Sequence, residues 1–101
     1  MTARHPDAAL IRTCARHIVN LNTYNASPGL TEYDKDPLWR DYEKTRDAIS
    51  RAQPKTIEGV LAVARAAVAE AGGKEPCHHG MDEQWAYSVM KSLLRLHVQH
   101  P

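Results

Sequence analysis

Apolar residues recur at steps of three and four along most of the chain, a spacing that predicts amphipathic helices. Clusters rich in Pro, Gly, Ser and Gln, which break helices, separate four such segments. The predicted helices cover about residues 6–25, 37–52, 57–71 and 82–98. No segment alternates apolar and polar residues between turns, so the sequence predicts no β-sheet.

Start signals support two of these helices. Pro37 suits a first helical turn, where its missing N–H donor costs nothing, and Thr56 suits an N-cap. Only Gln53, Pro54 and Lys55 separate the second and third helices before that cap, which predicts an αα-hairpin. The sequence therefore predicts an all-α fold in which residues 1–101 form one small four-helix bundle-like domain.

The apolar side of each helix predicts which side chains form the core. In helix three the expected buried stripe is Ile57, Leu61, Ala64 and Val68, and Val60, Val63 and Ala67 widen it. In helix four they are Trp85, Val89, Leu93 and Leu96. Gly59 costs helix three about 1 kcal/mol relative to Ala, and it favours a close backbone approach by a neighbouring element. The core is lean, because the chain has no Phe and much Ala, so we expect a partner surface to help, including that of a homodimer.

Charge and composition exclude several classes of protein. The net charge of +1 argues against a protein that coats nucleic acid, which needs a clear excess of Lys and Arg. No apolar run is long enough to predict a membrane span, and residues 1–6 lack the apolar centre of a signal peptide. Two cysteines without a secretion signal predict reduced thiols and a cytoplasmic protein.

The densest group of potential metal ligands is Cys77, His78 and His79, between helices three and four. These residue types bind zinc, so a small zinc-binding protein is one alternative, although adjacent histidines rarely ligate one ion. Cys14 lies on the apolar side of helix one, where a thiol behaves as a small hydrophobe. The chain lacks a phosphate-binding Gly-rich loop and a supported Cys/His nucleophile, so we predict no enzyme and no cofactor.

Aromatic residues and one arginine near the start of helix two suggest a binding surface. Trp, Tyr and Arg dominate the residues that carry most binding energy in protein interfaces. We therefore assign a protein partner to Tyr33, Trp39, Tyr42 and Arg46, with Trp39 equally suited to filling the core. Trp85 is assigned to the core, because a chain without Phe needs large side chains there.

A DNA-associated regulator is the remaining alternative. The short connection between helices two and three matches a helix-turn-helix, but helix three is too apolar to read bases. Arg4, Arg12, Arg16 and His17 of the helix-one segment form a better cationic strip. The ordinary interpretation of that strip is a solvated helix face.

One pattern of residues spans most of the chain. It comprises Asp36-Pro37-Leu38-Trp39, Tyr42-Glu43, Thr45-Arg46-Asp47-Ala48-Ile49, Pro54, Thr56, Glu58-Gly59, Ala64-Arg65-Ala66, Trp85 and Leu93-Leu94-Arg95-Leu96. This pattern resembles small uncharacterised helical proteins of alphaproteobacteria and their prophages. The resemblance carries no catalytic motif and implies only a cytoplasmic, mobile-element context. With the chain's small size, it suggests an inhibitor of a host complex, such as an anti-CRISPR protein.

Overall fold

The computed structural model of the chain describes residues 5–26, 37–72 and 80–99. They form four helices, α1 (Ala8–Asn25), α2 (Pro37–Arg51), α3 (Ile57–Glu70) and α4 (Met81–Gln99), and contain no strand. The predicted all-α, four-helix bundle-like fold is thus confirmed. None of the helices in the described ranges is both long and apolar enough to cross a bilayer.

The helices pack in an order that differs from the chain order. α1 packs on both α2 and α3, and α4 packs on α3. The predicted hairpin of helices two and three is wrong, because α2 and α3 make few close approaches along their lengths. α1 packs against both of them instead, and its His17 reaches Thr45 of α2 and Glu70 of α3.

The core is built around one large side chain. Trp85 of α4 is 1% exposed, which confirms its predicted place in the core. Its indole N–H donates to Oγ of Ser50 at 3.1 Å. Small and medium side chains from three helices surround it: Cys14, Ile49, Ala62, Val63, Ala66 and Ala67. Much of the core volume therefore depends on a single ring system.

The exposed side of α3 and α4 is unexpectedly apolar. In α3 the residues predicted to widen the stripe, Val60, Val63 and Ala67, are buried, whereas Ile57, Leu61 and Val68 of the stripe itself face outward. Leu93 of α4, also predicted to be buried, is exposed. Six apolar side chains of these two helices are 46–68% exposed, and we call them the apolar face: Ile57, Leu61, Val68, Met90, Leu93 and Leu94. A groove of about 490 Å³ lies beside Ile57 and Leu93, so the two helices share this surface.

The start of α3 is held by a carboxylate from the segment before α1. Asp7 is 4% exposed, and its Oδ2 accepts hydrogen bonds from the backbone N–H of Thr56 at 2.8 Å and of Lys55 at 2.9 Å. The Thr56 hydroxyl donates to the same oxygen and accepts from the N–H of Gly59, which confirms the predicted N-cap. Burial opposes ionisation of Asp7, but these hydrogen bonds prevail and lower its pKa.

We expect Gly59→Ala to destabilise the protein by about 2 kcal/mol, although Ala favours helices by about 1 kcal/mol. A Cβ at Gly59 would overlap the Asp7 carboxylate and force it away from its three donors. Urea unfolding followed by circular dichroism measures the change. Asp7→Ala supplies the control: in that background Gly59→Ala should become neutral or stabilising, and an equal loss in both backgrounds would contradict the explanation.

Candidate functional site

A group of polar side chains is buried where α1, α2 and α3 meet. His17 is completely buried, with Nδ1 2.7 Å from Oγ1 of Thr45 and Nε2 2.7 Å from Oε2 of Glu70. Tyr42 donates its hydroxyl to the same Glu70 oxygen at 2.8 Å. Asn20 donates to Oγ1 of Thr45 at 3.3 Å and to a backbone carbonyl of α2. We call these five side chains the buried polar network.

The hydrogen bonds constrain where the protons lie. As a carboxylate, Glu70 only accepts, so Nε2 of His17 and the hydroxyl of Tyr42 both donate to it. The Thr45 hydroxyl lies 3.0 Å from the backbone carbonyl of Tyr42. Thr45 and Glu70 therefore hold the His17 ring from its two nitrogens.

Thr45, His17 and Glu70 are linked in the order of a catalytic triad, with a hydroxyl nucleophile, a histidine base and an orienting acid. The surroundings do not suit that chemistry. Thr45 lies inside α2 and is within hydrogen-bonding distance of two carbonyls of its own helix. The backbone N–H groups beside it belong to the helical ladder, so they are not aimed at a developing oxyanion. The network is therefore best understood as the polar centre of the fold.

A second cluster lies nearer the surface, at the α1–α2 junction. The ring of Trp39 is 5.6 Å from that of Tyr24, measured between centroids. The guanidinium carbon of Arg46 lies 5.9 Å from the Trp39 ring centroid, within cation–π range. All three side chains are partly exposed, and we call them the aromatic surface.

The structure places the other predicted partner-binding residues differently. Tyr42 lies beneath the aromatic surface, 5.4 Å from the Trp39 ring, and is only 9% exposed. Its assignment as a contact residue is wrong, because its ring fills the core and its hydroxyl is bonded to Glu70. Burial and the Glu70 carboxylate raise the pKa of Tyr42, so it remains a donor at neutral pH. Tyr33 lies outside the described residues.

The predicted cationic strip is partly assembled. Arg12 and Arg16 are exposed on α1, and Arg4 lies outside the described residues. The assignment of His17 to the strip is wrong, because its ring is completely buried between Thr45 and Glu70. Arg16 lines a groove of about 300 Å³ with Lys44 and Asp41 of α2. The groove therefore combines two cations with one carboxylate, which weakens its attraction for phosphate.

The predicted zinc ligands Cys77, His78 and His79 also lie outside the described residues. Within the ranges that are described, no three side chains of His, Cys, Asp or Glu come together as a metal site requires. Cys14 is buried as predicted, and desolvation raises the pKa of its thiol to about 11. A buried thiol of this kind is neither a nucleophile nor a metal ligand at neutral pH.

Sequence reasoning missed two features, the buried polar network and the apolar face. His17 and Asn20 lie three and six residues after Cys14, on the same side of α1, and this spacing was a usable signal for the network. The apolar face gave no comparable signal, because aliphatic residues lie on both the buried and the exposed side of α3. No protein-family model, curated protein or solved structure matches the chain.

Proposed function

We propose that the protein is a non-enzymatic interaction module that docks on a protein partner through its aromatic surface. The observation that carries this proposal is the placement of Tyr24, Trp39 and Arg46 side by side and partly exposed. These three residue types are the ones most enriched among interface residues that dominate binding energy.

The cluster is also rigidly supported from below. The Tyr42 ring lies under both aromatic rings, 5.4 Å from that of Trp39 and 6.4 Å from that of Tyr24. Its hydroxyl is anchored to Glu70, in the buried polar network. An anchor that is already ordered loses little conformational entropy when it binds, which favours affinity.

Charged side chains of both signs surround the aromatic surface, which favours a protein as the partner. Arg46 donates to Asp47 at 3.1 Å and to Glu43 at 3.4 Å, and both carboxylates are nearly half exposed. A mixed rim of this kind supports specificity more than affinity. It also disfavours nucleic acid, whose phosphates would be repelled by the two carboxylates.

More specifically, we propose that the protein is cytoplasmic and inhibits a host complex. A phage or another mobile element would encode such an inhibitor. The support for this proposal is the chain's length of 101 residues and its resemblance to small prophage proteins. Inhibition would follow from occupying a surface that the host complex needs, without chemistry. A DNA-associated role through Arg12 and Arg16 has weaker support, because Asp41 shares the groove of Arg16 and the net charge is only +1. A zinc-binding role would rest on Cys77, His78 and His79.

We expect Trp39→Ala to weaken partner binding by about thirtyfold or more, since central aromatic anchors contribute about 2 kcal/mol or more each. Affinity capture from nuclease-treated lysate of the source cell, with mass spectrometry, identifies the partner and compares variants. Tyr87→Ala is the matched control, because Tyr87 is an exposed aromatic residue of α4, away from the aromatic surface. A partner captured equally by Trp39→Ala and wild-type protein would contradict the proposal.

A further inference from the structure

We infer that the apolar face is covered by a second copy of the chain, with the two α3 helices antiparallel about a twofold axis near Leu61. The face consists of six large apolar side chains on two helices that pack against each other. Soluble monomers rarely expose a contiguous apolar surface of this kind without a partner. It is separate from the aromatic surface, so this inference does not depend on the proposed function.

The charges on α3 indicate a second copy as the occupant. Glu58 precedes Leu61 by three residues, Arg65 follows it by four, and both are exposed. In an antiparallel pair centred beside Leu61, Glu58 of each protomer lies opposite Arg65 of the other. A twofold interface requires such self-complementarity, because each patch meets an identical patch. A foreign partner would not require an acid and a base to be placed symmetrically around the apolar centre.

Glu58 is able to make this contact. His5 lies beside it, with Nε2 3.2 Å from Oε1, and the Glu58 side chain remains 64% exposed. A carboxylate has about four lone-pair positions, so one neighbour leaves room for an arginine. The neighbouring His5 does not change the sign of the charge at this position.

The size of the face suits a reversible dimer. α3 has 14 residues and is about 21 Å long, at about 1.5 Å per residue. Two helices packed about 10 Å apart give a face of about 20 by 20 Å, so each protomer buries several hundred Å². Standard interfaces bury about 800 Å² per partner, which places this one at the small end. Dimerisation should therefore depend on protein concentration in the micromolar range.

Sedimentation equilibrium of the full chain over micromolar to hundreds of micromolar concentrations tests the inference. Wild-type protein should shift from monomer to dimer, and Leu61→Glu should weaken that association by about tenfold or more, because it places a charge in the apolar centre. Val19→Glu is the matched control, since Val19 is about as exposed as Leu61 but lies on α1. Circular dichroism establishes that each variant is folded.

Charge reversal tests the antiparallel register. Glu58→Arg and Arg65→Glu should each weaken the dimer several-fold, and the double variant should restore it. Three results would overturn the inference: a monomer at every concentration, a dimer that Leu61→Glu leaves unchanged, or a monomer whose face captures a different protein. In none of these cases would the effect of Trp39→Ala on partner capture change, so failure here leaves the proposed function standing.

Discussion

Replacing His17 by Ala is expected to lower the free energy of unfolding by about 3–5 kcal/mol. The substitution removes the only ring that joins Glu70 of α3 to Thr45 of α2, at 2.7 Å on each side. Glu70 then keeps the hydrogen bond from Tyr42 but loses the one from His17, and a carboxylate with little solvent contact is costly to leave with a missing donor. Urea unfolding monitored by circular dichroism gives the value.

Two further substitutions separate the loss of the His17–Glu70 hydrogen bond from the loss of packing. Glu70→Ala should cost a similar amount, because it leaves His17 and Tyr42 without their acceptor, whereas Glu70→Gln retains an acceptor and should cost less. The double variant of His17→Ala and Glu70→Ala should cost less than the sum of the two, by about 1–3 kcal/mol. Additive losses, or a His17→Ala effect below about 1 kcal/mol, would show that the network contributes little to stability.

The starts of α2 and α3 were predictable from the sequence because local chemistry sets them, whereas α4 begins at Met81, before the Asp82 that was predicted to cap it. Pro37 begins α2 and Thr56 caps α3, as the residue types predict. Gly72 adopts a φ of +63° just beyond α3, a conformation that Gly reaches without strain. Capping and helix-ending residues act within a few positions along the chain, so they can be recognised from the sequence without knowing the tertiary structure.

The orientation of the helices was less predictable, and α3 shows why. Val60 and Val63 face inward, while Leu61 and Val68 face outward, yet all four are aliphatic. A period of 3.6 residues identifies an inner side only when the other side is polar. The neighbours of α3 decide which side is buried, and those neighbours are distant in sequence.

Of the candidate site, the sequence predicted the residues that lie close together on one helix but not those whose partners are distant in sequence. Trp39 and Arg46 were found because their residue types favour interfaces and their spacing puts them near each other on one helix. Tyr42 was misassigned because its partner, Glu70, lies 28 residues away on another helix. His17 was missed because its two partners are 28 and 53 residues away.

Trp85→Ala is expected to cost about 4–5 kcal/mol, close to the total stability of many domains of this size. Trp85 is almost fully buried, and many of the side chains around it are Ala or Val, which cannot move far enough to fill the space of an indole. Removal also takes away the edge-to-face contact with His17, whose ring centroid lies 5.0 Å from that of Trp85. The substitution therefore weakens both the packing of the core and the support of His17 in the buried polar network.

Trp85→Phe keeps the prediction measurable if the Ala variant does not fold. Phe retains most of the apolar volume but loses the N–H that donates to Ser50, so we expect a loss of about 1–2 kcal/mol. Ser50→Ala, which removes only that hydrogen bond, should cost less than Trp85→Phe. Trp39 remains as the fluorescent reporter in all three variants, and denaturant titrations compare them directly. A Trp85→Ala loss no larger than that of Trp85→Phe would contradict the view that one ring system supports this core.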